Sequence, residues 1–285
     1  MIDFPLVSVI IPTYKRPEFL EKTLRAVHEQ TYKNLEIIVV SDGCSEKNKE
    51  IIEQCVFPII YIEQDNWGGP ASPRNRGVRE ASGEFIAFCD EDDIWVPDKI
   101  FLQISAMLQN PDYGLSYGKM MRFNSEREWI NPDEEIETSD LKSLLYRNNI
   151  PISSVVVRKS LVDKSGLFSE NKKIGGAEDY EFLIRCSCHA KFLFIHKYLI
   201  KYWSGEEGRM THNSPYVKKL MNYVLCIFFS FKEIVCRGYI KKRYLIFPFV
   251  SLLVTVFKIF LYQTISRMNS KIRYLSKKYV SIFSK

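Results

Sequence analysis

The chain has 285 residues, 46% of them hydrophobic, and a formal net charge of +6 at pH 7. That size allows one large domain, or one domain with an appendage, around a sizeable core. From residue 232 onward 12 Lys and Arg accompany a single acid, Glu233, whereas residues 1–231 hold 28 basic and 33 acidic residues. An acidic body with a basic tail suggests a tail that meets an anionic surface. Seven Cys without a CxxC pair give neither a readable disulfide framework nor a zinc site, so a reducing compartment is expected. The opening residues MIDFPLVSVIIPTYK have no basic leader with an apolar run and a cleavage site, and no signal peptide is expected.

In chain order, LVSVIIP (6–12) is a continuous apolar, β-branched run stopped by Pro12, the pattern of a fully buried strand. Residues 17–32 begin with Pro and place Leu20, Leu24, Val27 and Thr31 at helical spacing. LEIIVVSDG (35–43) reads as a second buried strand ending in Asp-Gly. A helix over 47–55, a strand over 58–64, a helix over 72–82 and a strand over 84–90 continue the alternation. Residues 1–90 therefore read as an α/β half with a parallel sheet.

The next segments read as an amphipathic helix at 98–109, a strand at 115–123, a polar surface loop at 127–140, a strand then a helix over 153–166, and a helix at 178–189. On the last helix Tyr180, Leu183, Ile184 and Ser187 share one face. Residues 223–231 and 244–262 are strongly apolar, and the second run has one charge, Lys258. Lys241, Lys242 and Arg243 precede it, and Arg267, Lys271, Arg273, Lys277 and Lys278 follow. Basic residues on both sides suit a helix lying in a membrane interface; a helical appendage that packs on the body or self-associates is the competing reading.

Asp90, Glu91, Asp92 and Asp93 follow an apolar strand directly, with no Lys or Arg until Lys99. Adjacent carboxylates repel by roughly 1 kcal/mol per pair at about 4 Å in water, and by more near a protein surface. In open parallel α/β sheets ligands bind outside the carboxyl ends of the strands, the edge that Asp42 and this cluster share. A hard divalent cation would make the crowding favourable, taking one or two protein carboxylates and leaving positions for substrate phosphates. A DEDD run alone is a solvated turn; the strand before it and Ile94-Trp95 after it fix its position.

The order of VSVIIPTYKR (7–16), EIIVVSDG (36–43), NWGGPASPRNRG (66–77), ASGEFIAFCDEDDIW (81–95), GGAEDYEFLIR (175–185) and RMTHNS (209–214) resembles the family 2 glycosyltransferases of GT-A fold over roughly residues 5–215. GGPASPRN and RMTHNS are similar to the wall teichoic acid branch of that family. The resemblance implies a Rossmann-like nucleotide-binding domain over 1–221, with a helical, apolar, basic extension over 222–285. It implies that Asp42 contacts the uracil of the donor, and that Pro12, Tyr14 and Arg16 cradle the nucleotide. Asn66 and Arg74 approach the base and phosphates. Asp90, Glu91 and Asp92 match the DxD triplet, with Asp90 on the ribose, Asp92 on Mn²⁺ or Mg²⁺ and the role of Glu91 open. Arg209, His212 and Ser214 match a loop that closes over the diphosphate, with His212 the second metal ligand.

Inverting sugar transfer needs a carboxylate to take the acceptor hydroxyl's proton. Gly175 and Gly176 permit an unusual backbone, and Glu178 and Asp179 then sit at a helix N-terminus, where the dipole favours negative charge and where simple capping is the alternative role. The resemblance makes Asp179 the general base. The expected function is metal-dependent inverting transfer from a UDP-sugar to a glycan or lipid-linked glycan, at the cytoplasmic face of a membrane, in bacterial surface polysaccharide synthesis. A nucleotidyltransferase would favour a Gly-rich loop after the first strand, which VSVIIPTYKR lacks. A nucleotide-sugar binding scaffold would not need Asp179. No GxGxxG follows either early strand, which disfavours a dinucleotide-binding oxidoreductase. The tail is too apolar for a nucleic-acid-binding arm.

Overall fold

The structure, a computed structural model, describes residues 4–131, 137–138, 141–146 and 149–205. The expected division at residue 221, the tail, Arg209, His212 and Ser214 lie outside the described residues.

Strand β1 (Val7–Thr13) pairs in parallel with β2 (Leu35–Asp42) on one side and with β4 (Phe85–Phe88) on the other. Strand β3 (Ile60–Gln64) extends the sheet beyond β2, also in parallel. The connections are α1 (Pro17–His28), α2 (Glu46–Gln54) and α3 (Ala71–Glu80). The chain thus winds outward from β1 to β3, then returns to the far side of β1. The C-terminal ends of β1 and β4 therefore border a topological switch point, where open α/β sheets bind ligands.

Then follow β5 (Ile94–Trp95), α4 (Lys99–Gln109), β6 (Tyr113–Phe123), β7 (Glu128–Trp129), α5 (Leu141–Tyr146), β8 (Val156–Arg158), α6 (Lys159–Ser165), α7 (Glu178–Ser187) and β9 (Lys191–Trp203). The sheet runs β3-β2-β1-β4-β8-β6-β9-β5, with β7 on β6. Strand β8 is antiparallel to both neighbours, β6 and β9 are parallel, and β5 is antiparallel to β9. The parallel half is as the sequence predicts; the second half makes the sheet mixed.

Alternation along the strands divides the core between the two faces. Ile10, Ile38, Val40, Ile86 and Phe88 pack with Val78 of α3, Leu161 of α6 and Phe182 of α7. Val7, Val9, Ile11, Val39, Phe85 and Ala87 pack with Leu20 and Leu24 of α1 and Ile100 and Ile104 of α4. Helix α7 is buried on nearly every side, not along one stripe.

Some boundaries differ from the sequence reading. Helix α1 ends at His28 because the next residues bind the turn before α4. Gln30 donates to the carbonyl of Val96 (2.7 Å) and accepts from the N–H of Ile100 (3.1 Å), while the N–H of Thr31 donates to the carbonyl of Pro97 (3.0 Å). Gln30 thereby satisfies a first-turn donor of α4. Strands β5 and β9 and helix α5 are additions to the elements the sequence predicts, and part of the polar stretch 127–140 forms β7. Strand β9 escapes a period-two reading because its pairing with β6 shifts register near Gly118–Met120, and exposed His196 and Lys197 interrupt the pattern.

Candidate active site

The β1–α1 loop and the acidic turn after β4 are bound to each other at the switch point. Glu91 is buried and accepts three hydrogen bonds from the β1–α1 segment. They come from the hydroxyl of Thr13, the N–H of Tyr14 (3.1 Å) and Nε of Arg16 (2.7 Å). Asn48 Nδ2 donates to the same Thr13 hydroxyl (3.1 Å). The Nη1 of Arg16 continues to Asp92 Oδ2 (3.0 Å). Arg16 occupies the N-cap position of α1 without capping it, because a guanidinium carries only donors and offers the first-turn N–H groups no acceptor; Pro17 at N1 lacks an N–H that would need a cap. Thr23 of α1 supports the turn from below, its hydroxyl donating between the carbonyls of Glu91 (2.7 Å) and Asp93 (3.0 Å).

Asp90 and Asp93 face different partners. The N–H of Asp90 donates to Ser153 Oγ (3.1 Å), which turns the chain out of the sheet, and its carboxylate meets Nη2 of Arg74 (2.5 Å). Asp93 is buried and accepts from the N–H of Trp203 (2.9 Å), while its Oδ2 has no partner. Countercharge for the cluster therefore comes from Arg16 and Arg74, both distant in sequence. It is incomplete. Burial raises Asp92, with Asp90 adding to the shift and Arg16 opposing it. Burial, then Asp92 and Asp90, hold Asp93 well above the usual carboxylate range. Burial also outweighs Arg16 in raising Glu91. Lys99 lies 3.9 Å from the centroid of the Trp95 ring, where burial pushes its ammonium down to about 7, and its Nζ makes no hydrogen bond to the acids of the turn.

At the end of β2 the buried carboxylate of Asp42 organises the loop before α3. It accepts from Gln64 Nε2 (2.9 Å) and from the N–H groups of Trp67 (2.8 Å) and Gly68 (3.1 Å). Gly68 has φ +88°, a left-handed conformation that disfavours other residues. Tyr14 is 43% exposed, and its ring lies with the Cβ of Asn66 over Gly43, each 3.4 Å from where a Gly43 Cβ would stand. The structure thus brings Tyr14, Asn66 and Asp42 together at one corner of the sheet edge. Pro12 and Arg16 are on the adjoining β1 segment, and Asp90, Glu91 and Asp92 line the other side of the switch point.

The GGAED segment closes the site from α7. Of its two glycines, Gly176 has positive φ (+84°) and Gly175 has φ −52°. Glu178 Oε2 accepts from the N–H of Gly176 (2.8 Å), and Asp179 Oδ1 from that of Tyr180 (2.6 Å). Both acids sit in the first turn of α7, where orphan N–H groups and the dipole favour them. Burial and then Glu178 push Asp179 up to about 7, against the pull of Arg74. A carboxylate poised near neutrality suits proton abstraction. Arg74 itself is inside the protein, its two terminal nitrogens on Asp90 and Glu178 (3.3 Å).

Thr13, Thr23, Asn75 and Ser153 support the site without any mark in the sequence. Their partners are 35 or more residues away, so no local spacing reveals them. Among the described residues no three His, Cys, Asp or Glu side chains converge as a metal-ligand set. No helix among them is long and apolar enough to cross a membrane.

The family model described as Glycosyl transferase family 2 matches residues 8–176. An uncharacterized glycosyltransferase of Rickettsia typhi is 30% identical over 245 residues, 84% of this chain and 72% of its own. One from Methanocaldococcus jannaschii is 27% identical over 239 residues, 81% of this chain and 80% of its own. Among solved structures, TarS of S. aureus superposes with TM-score 0.64 at 20% identity, covering 81% of this chain and 40% of that chain. TarS 1–349 in complex with UDP-GlcNAc gives 0.64 at 21% identity, over 78% of this chain and 66% of that chain. A mannosyltransferase from Pyrobaculum calidifontis in complex with GDP-Man and Mn²⁺ gives 0.61 at 18%, over 81% and 65%. This chain spans less than two-thirds of each of these solved chains, and at such identities the likeness concerns the fold. The family match and the relatives carry the assignment: the chain belongs to glycosyl transferase family 2.

Proposed function

We propose that the protein is an inverting, metal-dependent glycosyltransferase that moves a sugar from a UDP-sugar to a hydroxyl of a glycan or lipid-linked glycan in bacterial surface polysaccharide synthesis. The observation that carries this reading is one arrangement: an under-neutralised carboxylate turn at the switch point, faced by a carboxyl group near neutrality on α7. The donor class draws on the neighbours solved with UDP-GlcNAc and GDP-Man. We favour uridine because Asp42 spends three acceptor positions on its own loop and keeps about one of a carboxylate's roughly four. One acceptor suits the imide N–H of uracil. Tyr14 and Asn66 would flank the base, and Pro12, Arg16 and Asp90 the rest of the nucleotide.

The acidic turn fits a hard cation chemically. Asp90 to Asp93 supply four carboxylates, whereas Arg16 and Arg74 supply the compensating guanidiniums. Asp92 and His212 would hold Mn²⁺ or Mg²⁺, whose charge would stabilise the departing diphosphate. Trp203, fixed by Asp93, stands nine residues before His212 in sequence. Arg209 and Ser214 would donate to the same diphosphate. Asp179 would take the proton of the acceptor hydroxyl as it attacks the anomeric carbon. The basic, apolar tail would hold the protein on the inner face of the membrane, where a lipid-linked acceptor is presented.

Asp92→Asn is expected to abolish turnover of a UDP-sugar panel and most metal-dependent UDP binding measured by calorimetry; full wild-type turnover in excess EDTA would contradict the metal assignment. For the base, Asp179→Asn is expected to slow transfer by about 10²- to 10⁴-fold, with UDP affinity near normal. The base acts ionised, so wild-type kcat should rise with pH along an acid limb near 7 and fall as Asp179 protonates below it. Retained turnover with lost UDP affinity would make Asp179 a donor-site residue. For the tail, the full chain should float with anionic vesicles and much less with zwitterionic ones. Failure to float with either would leave the tail as a packing or self-association element.

A further inference from the structure

The guanidinium of Arg16 holds two acids of the turn at once. Its Nε donates to Glu91 Oε1 (2.7 Å) and its Nη1 to Asp92 Oδ2 (3.0 Å). The two ends of this fork differ in setting. Glu91 is buried and also accepts from the hydroxyl of Thr13 and the N–H of Tyr14. The Asp92 side chain is 17% exposed and that of Arg16 25%. The guanidinium also lies 5.3 Å from the centroid of the ring of Phe19, in the first turn of α1. The Glu91 end is therefore the fixed end of the fork, and the Asp92 end is the exchangeable one. A hard cation asks for the same carboxylate: Mg²⁺ takes oxygen ligands at about 2.0–2.1 Å. Asp92 has a second oxygen, so the contest is one of charge and not of lone-pair count. A divalent cation on Asp92 repels a guanidinium held a few ångströms away, and does so twice as strongly as a monovalent one would at the same distance.

We propose that Arg16 is a resident counter-ion of Asp92 that competes with the divalent cation and gives way when a nucleoside diphosphate arrives, so that donor and cation bind cooperatively. This rests on the reading of Asp92 as metal ligand. The diphosphate offers the displaced arm of the guanidinium a new anion. The Nε bond to Glu91 meanwhile keeps Arg16 on the nucleotide loop. The carboxylate so released takes the cation. Without a diphosphate the cation has to break a charge-assisted bond that nothing replaces, which keeps its affinity low. Linkage makes the effect reciprocal: Mn²⁺ tightens UDP by the factor by which UDP tightens Mn²⁺. Direct contact between cation and diphosphate supplies part of that factor, and Arg16 supplies the rest.

The test measures Mn²⁺ binding to the full-length protein by calorimetry and by paramagnetic resonance of free Mn²⁺, with and without UDP. The variants are Arg16→Met, Arg16→Gln, Arg16→Lys, Asp92→Asn and the double variant Arg16→Met with Asp92→Asn. In the absence of UDP, Arg16→Met and Arg16→Gln are expected to bind Mn²⁺ about tenfold tighter than wild type, a coupling of ordinary size. Their UDP affinity in EDTA should fall, because the donor loop loses its anchor. A loosened or misfolded site would weaken both ligands, so a tighter cation with a weaker nucleotide is specific to the proposal. The factor by which UDP tightens Mn²⁺ should shrink about tenfold in the same variants. Arg16→Lys keeps the charge without the two-ended fork and should hold Mn²⁺ closer to wild type than either neutral variant. Arg16→Met should not tighten Mn²⁺ once Asp92→Asn is present, since the contested carboxylate is gone. If Arg16→Met does not fold, the contrast between Arg16→Gln and Arg16→Lys carries the test. Mn²⁺ affinity no tighter than wild type in the folded neutral variants, alongside lost Mn²⁺ binding in Asp92→Asn, would overturn the Arg16 proposal alone. Wild-type Mn²⁺ affinity in Asp92→Asn, with and without UDP, would instead overturn the reading of Asp92 as metal ligand.

Discussion

The acidic turn after β4 is the constraint around which the site is built. Four consecutive acids leave a buried strand, and each like-charged pair costs roughly 1 to 4 kcal/mol near a protein surface at about 4 Å. The protein meets this with two guanidiniums brought in by the fold, Arg16 from the loop after β1 and Arg74 from α3. Of these pairs only Arg74–Glu178 is buried on both sides, and removing one partner of a buried pair typically costs about 3–5 kcal/mol, because the other charge is left uncompensated. The two arginines therefore do more than balance charge. Arg16 ties the turn to the loop expected to cradle the nucleotide, and Arg74 ties it to the turn that carries Asp179. Neutralising the acids and assembling the site are the same physical event.

The parallel half of the fold is legible in the sequence because its signals are local. Val9–Ile11 and Ile37–Val40 are unbroken β-branched runs, and Pro17 marks a helix start. The sheet edge follows from them, so the sequence pattern by itself places Asp42 and Asp90–Asp93 along one edge. What is not legible depends on distance in sequence. Lys99 is the first cation after the acids along the chain, but it is buried over Trp95 and makes no hydrogen bond to them. The real partner of Glu91 and Asp92 is 75 or 76 residues upstream. Strand β9 is hidden for another reason: shifted pairing and exposed His196 and Lys197 blur its periodicity. Arg209, His212, Ser214 and the tail belong to the part of the chain outside the described residues, and their roles rest on the family resemblance.

Glu91 illustrates how a motif position and a physical role separate. By sequence it is the middle of a DxD triplet and invites a metal or donor role. By geometry its two oxygens already accept from Thr13, Tyr14 and Arg16, and it is buried beneath them. Asp92 has one bond to Arg16 and a carboxyl raised by burial, so it retains both the capacity and the electrostatic reason to take a cation. The acids of one turn thus divide the work: Glu91 holds the loop, Asp90 and Asp93 hold α3 and β9, and Asp92 faces the proposed metal.

The central claim is that Glu91 anchors the nucleotide loop through Arg16 and does not bind metal. Calorimetric titration of UDP into wild type and Glu91→Gln, once in EDTA and once in Mn²⁺, tests it most directly. Loss of charge-assisted bonds of about 1.5–3 kcal/mol each predicts UDP affinity weakened about tenfold or more in EDTA as well as in Mn²⁺. An affinity equal to wild type in EDTA, with a loss confined to Mn²⁺, would make Glu91 a metal ligand and contradict the account.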